Sequence, residues 1–144
     1  MTQKTVTVLV CGGFDPLHSG HLALFTAAAG MGNRLVVAIN SDQYLTRHRG
    51  RAFMPWAERA AIIMALTIVD SVILFDDTDD TAVDALVKLK ELFPDDRIIY
   101  AVGHDRTELT SPEASVEGVD LAWRVGGAKI ASSSDFLARW TESQ

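Results

Sequence analysis

Short apolar runs rich in β-branched residues alternate along this chain with longer amphipathic runs. The strand-like runs are TVTVLVCG (5–12), RLVVAIN (34–40), SVILFD (71–76), RIIYAVG (97–103) and, less marked, VDLAWRVG (119–126). The helix-like runs cover 21–32, 55–68, 81–93 and 132–140. Continuous apolar strands separated by helices are typical of a parallel sheet covered on both faces. We therefore expect an α/β fold: a Rossmann-like parallel sheet of about five strands with helices on both faces.

The helical runs carry signals for where they begin and which face they bury. Ser19 is a candidate N-cap of the first helix, and Pro55 is a favoured first residue for the second. Apolar spacing predicts a core-facing stripe on two helices. These stripes are Ala57, Ala60, Ala61, Met64, Ala65 and Ile68 in the second helix, and Ala82, Ala85, Leu86, Leu89 and Phe93 in the third.

The overall composition limits the class of protein. The chain has 144 residues, of which 48% are apolar and 22% charged, and this predicts one globular domain over 1–144. The single cysteine, Cys11, excludes an internal disulfide. We see no signal peptide and no apolar run near the ~20 residues that a membrane span requires, so we expect a cytoplasmic protein without membrane contact. A net charge of -6 argues against nucleic acid as a general partner.

The segments that follow the strands contain most of the residues that could bind or react with a ligand. In parallel sheets, ligands bind beyond the carboxyl ends of the strands. Here those segments are 12–20, 40–54, 76–80, 103–110 and 126–134. They hold the stretch GGFDPLHSGH, the basic run RHRGR (47–51), His104 with Asp105 and Arg106, and three serines (132–134). The long polar stretch 107–118 is a candidate loop over the same edge.

The stretch GGFDPLHSGHLALF (12–25) passes from the first strand to the first helix. Gly12 and Gly13 allow a sharp turn and a close approach to a ligand. His18 and His21 flank the start of the helix, where free N–H groups and the helix dipole favour an anion. Two imidazoles add hydrogen-bond donors at the same place. This combination is suited to a polyphosphate.

Other interpretations of these residues are open at this point. A zinc site from Cys11, His18 and His21 lacks a fourth ligand at suitable spacing. Two core histidines bound to backbone carbonyls are a structural alternative, and the RHRGR run is compatible with a solvated loop. The patterns of a P-loop and of a G-x-G-x-x-G dinucleotide site are both absent from the sequence.

The stretch GGFDPLHSGH resembles the signature of the nucleotidylyltransferase superfamily, whose H-x-G-H motif matches His18-Ser19-Gly20-His21. The likeness extends over about residues 6–137, to the small glycerol-3-phosphate cytidylyltransferases and, about equally, to the ADP-heptose-forming adenylyltransferases. Further matching segments are VVAINSD (36–42), RGR (49–51), ERAAIIMAL (58–66), VDSVILFDD (69–77) and VGHDR (102–106).

The resemblance implies a reaction and a set of roles. A phosphate or phosphonate oxygen of a small acceptor would attack the α-phosphorus of a nucleoside triphosphate and release pyrophosphate. His18 and His21, with Lys129 in place of an arginine usual in the family, would be catalytic. The predicted nucleotide- and phosphate-binding residues are Gly12, Gly13, Phe14, Asp15, Gly20, Arg49, Arg51, Arg59, Gly103, Asp105, Ser132, Ser133 and Ser134; the predicted acceptor-binding residues are Asp42 and Arg47.

Several of these roles have alternatives. Phe14 is expected to pack under the loop, and Asp15 either organises the loop, orients hydrated magnesium or simply caps a turn. Arg59 could form a surface salt bridge with Glu58 or Asp70. His104 stands where the family has glycine, which bears on the shape of the base or ribose contact.

The substrates implied are CTP, favoured slightly over ATP, and a small phosphate- or phosphonate-bearing acceptor. Adenylyl transfer from ATP to a sugar phosphate is the alternative reaction. A nucleotide-binding sensor without turnover and a flavin- or NAD-binding oxidoreductase are the other classes considered. We expect Mg²⁺ to be bound through the triphosphate, with no protein metal site. The resemblance also makes a homodimer an expectation.

Overall fold

The computed structural model describes residues 4–103 and 112–142. The strands are β1 (Val6–Gly12), β2 (Arg34–Ile39), β3 (Ser71–Ile73), β4 (Arg97–Ala101) and β5 (Val119–Ala122). The helices are α1 (Ser19–Ala29), α2 (Asp42–Arg49), α3 (Trp56–Met64), α4 (Val83–Leu92) and α5 (Ser133–Glu142), with a 3₁₀ turn at Pro112–Ser115. Asp105 and its neighbours His104 and Arg106 lie outside the described residues, as do residues 107–111 of the stretch 107–118.

The strands form one parallel sheet in the order β3-β2-β1-β4-β5 across the described part of the chain. The predicted α/β fold with a Rossmann-like parallel sheet is confirmed. Successive residues of β1 face opposite sides: Val8 and Val10 pack with α1 and α3, whereas Leu9 packs with α4. Apolar residues therefore cover both faces, which is why the strands lack polar alternation.

One helix was not expected. The segment 42–49, interpreted above as part of a basic loop, forms α2. The Ser41 Oγ caps it by accepting a hydrogen bond from the Tyr44 backbone N–H at 3.0 Å, and Gly50 ends it with φ of +89°. Leu45 is its buried residue, so hydrophobic periodicity gave no signal for it.

The predicted core stripe of α4 is confirmed, but that of α3 is wrong. Ala60 alone of the six predicted positions in α3 is buried, while Met64 is 63% exposed. The buried face is instead formed by Arg59, Ala60 and Ile63. Two hydrogen-bonding groups set this rotation: the buried Arg59 guanidinium, and the Trp56 indole N–H, which donates to the Ile39 carbonyl at 3.0 Å. Pro55 stands at the N-cap, one residue before the first helical position.

None of the helices described in residues 4–103 and 112–142 is long and apolar enough to span a membrane.

Candidate active site

A cavity of about 310 Å³ opens at the carboxyl end of β1, between α1, the loop after β5 and the start of α5. It brings together most of the residues predicted to be functional: Gly12, Phe14, His18, Gly20, His21, Arg49, Gly103, Lys129, Ser132, Ser133 and Ser134. Gly13, Asp15, Asp42, Arg47, Arg51 and Arg59 do not line it. The described lining contains two basic side chains and no carboxylate, so the cavity favours an anion even though the chain is acidic overall.

His18 and His21 are held by each other's backbone. The His18 Nδ1 accepts from the backbone N–H of Gly20 at 3.0 Å and of His21 at 3.4 Å. The His21 Nδ1 accepts from the His18 backbone N–H at 3.2 Å. His18 is therefore the N-cap of α1, and the prediction that Ser19 caps the helix is wrong because the imidazole takes that place. This reciprocal pattern is a capping box built from two histidines.

The capping pattern fixes the tautomer of both rings. A neutral imidazole that accepts at Nδ1 carries its proton on Nε2. Each histidine thus offers an Nε2–H donor to a molecule in the cavity. The tight turn requires Gly20, because a Cβ there would lie 2.9 Å from the His18 Cε1.

Both histidines are held in the neutral form. Burial, reinforced by the nearby His18 and Arg49, lowers the pKa of His21 to about 3. Burial also lowers the pKa of His18, with added repulsion from Lys129 and Arg49. At neutral pH the pair therefore donates hydrogen bonds without carrying charge, and the positive charge of the cavity comes from Arg49 and Lys129.

Phe14 packs beneath this pair, as expected. It is 4% exposed, and its ring meets His21 edge-on at 4.9 Å and Phe25 at 5.1 Å between centroids. Its backbone adopts φ of +51°, a left-handed conformation that is uncommon for an aromatic residue. Phe14 thus supports His21 from below and also contributes to the floor of the cavity.

Asp15 organises the loop that precedes α3. Its Oδ2 and Oδ1 accept hydrogen bonds from the backbone N–H groups of Phe53 at 2.6 Å and Met54 at 2.8 Å. Its carbonyl accepts from the Arg49 Nη1 at 3.2 Å. Of the roles considered for Asp15, these contacts favour loop organisation, since both carboxylate oxygens are engaged by backbone.

Arg59 is buried and joins the two segments that follow β1 and β2, so it does not form the surface salt bridge with Glu58 or Asp70 that was considered above. Its Nη1 donates to the carbonyls of Gly13 at 2.8 Å and Asn40 at 2.7 Å. Its Nε donates to the Met54 carbonyl at 2.9 Å, and its Nη2 pairs with the Asp42 carboxylate at 2.6 Å. The Arg59 donors are engaged in these contacts, and neither Arg59 nor Asp42 is among the residues that line the cavity. Their predicted contacts with substrate stay predictions.

The arginines of the RHRGR run point in different directions. Arg49, the last residue of α2, lines the cavity. The Arg47 Nη2 donates instead to the Asp77 carbonyl at 2.8 Å and to the Asp80 carboxylate at 2.9 Å, outside the cavity. Arg51 is exposed and makes no hydrogen bond or ion pair with the described residues. Its predicted phosphate contact stays a prediction.

The serine triplet starts α5 beside the histidines. The Ser132 Oγ accepts from the Asp135 backbone N–H at 3.3 Å, and the Ser133 Oγ donates to the Pro16 carbonyl at 2.7 Å. The second contact ties α5 to the opening loop. It also brings Phe136 to 6.0 Å from the His18 ring centroid.

One wall of the cavity, formed by Ala23, Leu24 and the segment 125–128, contains no residue that was predicted to be functional. Gly126 lies against α1 so closely that a Cβ there would be 3.0 Å from the Leu24 Cα. The positive φ values of Gly126 and Gly127, +89° and +80°, show that this turn needs glycine. The adjacent glycines are the signal for this turn in the sequence.

A family model described as "Cytidylyltransferase-like" matches residues 9–125. The chain belongs to this family. Its relatives include the bifunctional protein HldE of Streptomyces coelicolor, 38% identical over 94% of this chain, and that of Gluconobacter oxydans, 40% identical over 85%. The chain spans 29% and 23% of these two proteins, respectively. It is a nucleotidyltransferase enzyme domain by these relationships.

Solved structures agree with this family. The lipopolysaccharide core biosynthesis protein from Thermoplasma volcanium superposes with a TM-score of 0.66 at 25% identity, covering 88% of this chain and 99% of that one. A putative nicotinate-nucleotide adenylyltransferase from Vibrio parahaemolyticus has a TM-score of 0.64 at 15% identity, covering 96% and 88%, and shares the fold.

The side chains of the cavity do not fit a protein-held metal ion. No group of three or more potential metal-binding side chains occurs among residues 4–103 and 112–142. Mg²⁺ prefers oxygen ligands, and the described lining offers serine hydroxyls and backbone carbonyls but no carboxylate. A zinc site built on Cys11, His18 and His21 is likewise disfavoured. Both Nδ1 atoms accept backbone hydrogen bonds, so the proton lies on each Nε2 and neither nitrogen has a lone pair left for zinc.

Proposed function

We propose that this chain transfers AMP from ATP to the phosphate group of a sugar phosphate and releases pyrophosphate. The observation that carries the proposal is the capped and stacked histidine pair at the start of α1, which lines a cavity with Arg49 and Lys129. Neutral Nε2–H donors, two cations and a helix N-terminus together suit a triphosphate.

The lining residues fall into two groups, and these groups suggest how ATP would lie. The first group combines the histidines with Arg49, Lys129 and the serines at the start of α5, which would hold the phosphates. The second group is Leu24 with its neighbour Gly103 and the segment 125–128; its small residues and backbone groups would form the nucleoside end. Binding of a base through backbone groups leaves little trace in side chains, which explains why the sequence did not distinguish the bases.

The reaction needs no protein nucleophile. A phosphate oxygen of the acceptor attacks the α-phosphorus, and the bond from that phosphorus to the oxygen bridging to the β-phosphorus breaks. The electron pair of the broken bond leaves with pyrophosphate. The Nε2–H groups of His18 and His21 would stabilise charge on the α-phosphoryl oxygens and on the leaving oxygen, and Lys129 would neutralise the leaving group.

The choice of ATP rests on the relatives. The sequence favoured CTP slightly, but the HldE proteins belong with the ADP-heptose-forming adenylyltransferases, which act on heptose phosphate with ATP. They support the ATP alternative better than CTP. The family description "Cytidylyltransferase-like" keeps CTP transfer as the second candidate.

The proposal is tested by pyrophosphate release with ATP or CTP against sugar 1-phosphates, glycerol 3-phosphate and a small phosphonate. We expect release only when ATP and a sugar phosphate are both present. Release with CTP and glycerol 3-phosphate alone would overturn the substrate assignment. Tight binding of a triphosphate without release in any combination would favour the sensor.

A further inference from the structure

A buried carboxylate outside the cavity holds the helix that carries Arg49. Asp77, beyond the end of β3, is 3% exposed. Its Oδ2 accepts from the Ser41 backbone N–H at 2.7 Å and from the Asn40 Nδ2 at 3.2 Å, and its Oδ1 accepts from the Ser41 Oγ at 2.7 Å. Ser41 is the N-cap of α2. Asp77 therefore binds the residue from which α2 starts.

Helix α2 depends on such polar contacts because it has little apolar anchorage. Of its eight residues, Leu45 is the buried one. Arg49 lies eight residues after Ser41, about 12 Å along the helix axis, so a small change in the direction of α2 at its start moves Arg49 appreciably. The contacts that fix the start of α2 thus determine where the Arg49 guanidinium lies in the cavity.

Among the contacts around α2, that of Asp77 is the strongest candidate for this role. Asp80 binds Arg47 at 2.9 Å and His48 at 3.0 Å, but Asp80 is 48% exposed, and exposed ion pairs contribute little. Asp77 is buried and accepts all three of its hydrogen bonds as a carboxylate, which makes them stronger and their loss more costly. Arg59 pairs with Asp42, the first residue of α2, at 2.6 Å.

We propose that Asp77 is a positioning residue that acts through Arg49 on triphosphate binding. This inference rests on the proposed function, because it takes Arg49 to contact the triphosphate. Asp77 itself touches no substrate. It orients α2 through Ser41 so that Arg49 enters the cavity in a productive direction.

A double-mutant cycle on ATP affinity tests the inference. We compare Asp77→Ala, Arg49→Ala and the double variant by calorimetric titration with ATP and Mg²⁺. Asp77→Ala is expected to weaken ATP binding about tenfold when Arg49 is present and by less than about twofold in the Arg49→Ala background. A merely structural role of Asp77 predicts equal losses in both backgrounds, and that result would overturn the inference.

Two further variants keep the test valid if Asp77→Ala does not fold. Asp77→Asn retains one acceptor for the Ser41 N–H, and Ser41→Ala removes the hydroxyl that Asp77 binds. Both variants should lose less ATP affinity than Asp77→Ala, and these losses should also disappear in the Arg49→Ala background. The control is Asp76→Ala. Among residues 4–103 and 112–142, the Asp76 carboxylate accepts only within its own loop, from the Thr78 N–H at 2.9 Å and Oγ1 at 2.7 Å.

The outcomes separate this inference from the proposed function. If the unmodified protein binds ATP but the losses are additive, Asp77 does not act through Arg49 and the proposed function stands. If the unmodified protein binds no triphosphate, the proposed function fails and the inference fails with it. An Asp76→Ala loss as large and as dependent on Arg49 as that of Asp77→Ala would also contradict a specific role for Asp77.

Discussion

The imidazole rings of His18 and His21 stack at 3.7 Å between centroids, with 15° between their planes. Each ring uses Nδ1 to accept a backbone hydrogen bond from the other residue or its neighbour. The two side chains therefore serve the helix start and the cavity at the same time. Their structural and chemical contributions can be separated, because the first depends on Nδ1 and the second on Nε2.

Replacing His18 by asparagine should separate the two contributions. Asparagine is a preferred N-cap, so His18→Asn is expected to keep the stability of α1, whereas His18→Ala should lose about 1 kcal/mol. Both variants lack the Nε2–H donor, and each should lower kcat about 10²-fold in the pyrophosphate assay. If His18→Asn kept kcat within about threefold of the unmodified enzyme, His18 would have no part in the chemistry.

Lowering the pH should destabilise the protein, because His21 is neutral in the folded state. Its pKa is about 3 in the folded state, below the ordinary value of 6.5, so the unfolded chain binds the extra proton between these pH values. The stabilising contribution is complete above pH 6.5 and is lost progressively as the pH falls toward 3. Between pH 7.5 and 5.5, His21 should account for about 1 kcal/mol of lost stability.

Urea unfolding at these two pH values measures this loss. His21→Asn serves as the control, since asparagine does not titrate and the carboxylates are unchanged. The difference in stability loss between the two proteins reports His21 alone. Equal losses in both proteins would contradict a neutral His21 in the folded state.

The sequence predicted most of the fold because hydrophobic burial decides it, and it failed where polar contacts decide. The strands and α4 follow apolar periodicity, and the structure confirms them. Helix α2 has one buried residue and is held by Asp77 and Arg59, two contacts between distant segments that no local pattern reveals. The predicted buried face of α3 was wrong for the same reason, because the buried Arg59 is an exception to the usual rule that charged residues face outward.

The candidate site was predictable where a motif is local and unpredictable where the cavity wall is assembled by tertiary contacts. His18 and His21 are three residues apart, and their place at a helix start follows from the sequence. Arg47 and Arg49 are also close in sequence, but because they lie on a helix their side chains point in different directions. Arg47 binds Asp80, whereas Arg49 lines the cavity. Because α2 was not predicted from the sequence, the sequence could not tell which of the two arginines enters the cavity.

Arg49→Ala should weaken triphosphate binding with little effect on folding. Arg49 is exposed, and within the described part of the chain its guanidinium makes one hydrogen bond, to the Asp15 carbonyl at 3.2 Å. Loss of a charged donor to phosphate should raise KM for ATP about tenfold or more. Arg97→Ala is the matched control, because Arg97 begins β4 at the opposite end of the sheet and pairs with the exposed Asp120. Equal KM values for Arg49→Ala and the unmodified enzyme would exclude Arg49 from the ATP site.

Chelation should abolish turnover without altering the unliganded protein. The described cavity lining has no carboxylate, so Mg²⁺ is expected to enter with the triphosphate as part of the substrate. Excess EDTA should therefore stop pyrophosphate release but leave the urea midpoint of the nucleotide-free protein unchanged. A lower midpoint in EDTA would indicate a resident metal ion, and full activity in EDTA would indicate that no divalent cation is needed.

The adjacent glycines at 126 and 127 provide a test of the cavity wall that the sequence missed. Both have positive φ, so alanine at either position should cost about 1 to 2 kcal/mol of backbone strain. A Cβ at Gly126 would lie 3.0 Å from the Leu24 Cα, whereas one at Gly127 has no atom within 4 Å. The loss in the free energy of unfolding, measured with urea, should thus be larger for Gly126→Ala than for Gly127→Ala by at least about 1 kcal/mol. Because the clash displaces the wall beside the proposed nucleoside end, Gly126→Ala should also weaken ATP binding more than Gly127→Ala. Equal losses of stability and affinity would mean that the segment 125–128 does not pack against α1 as described.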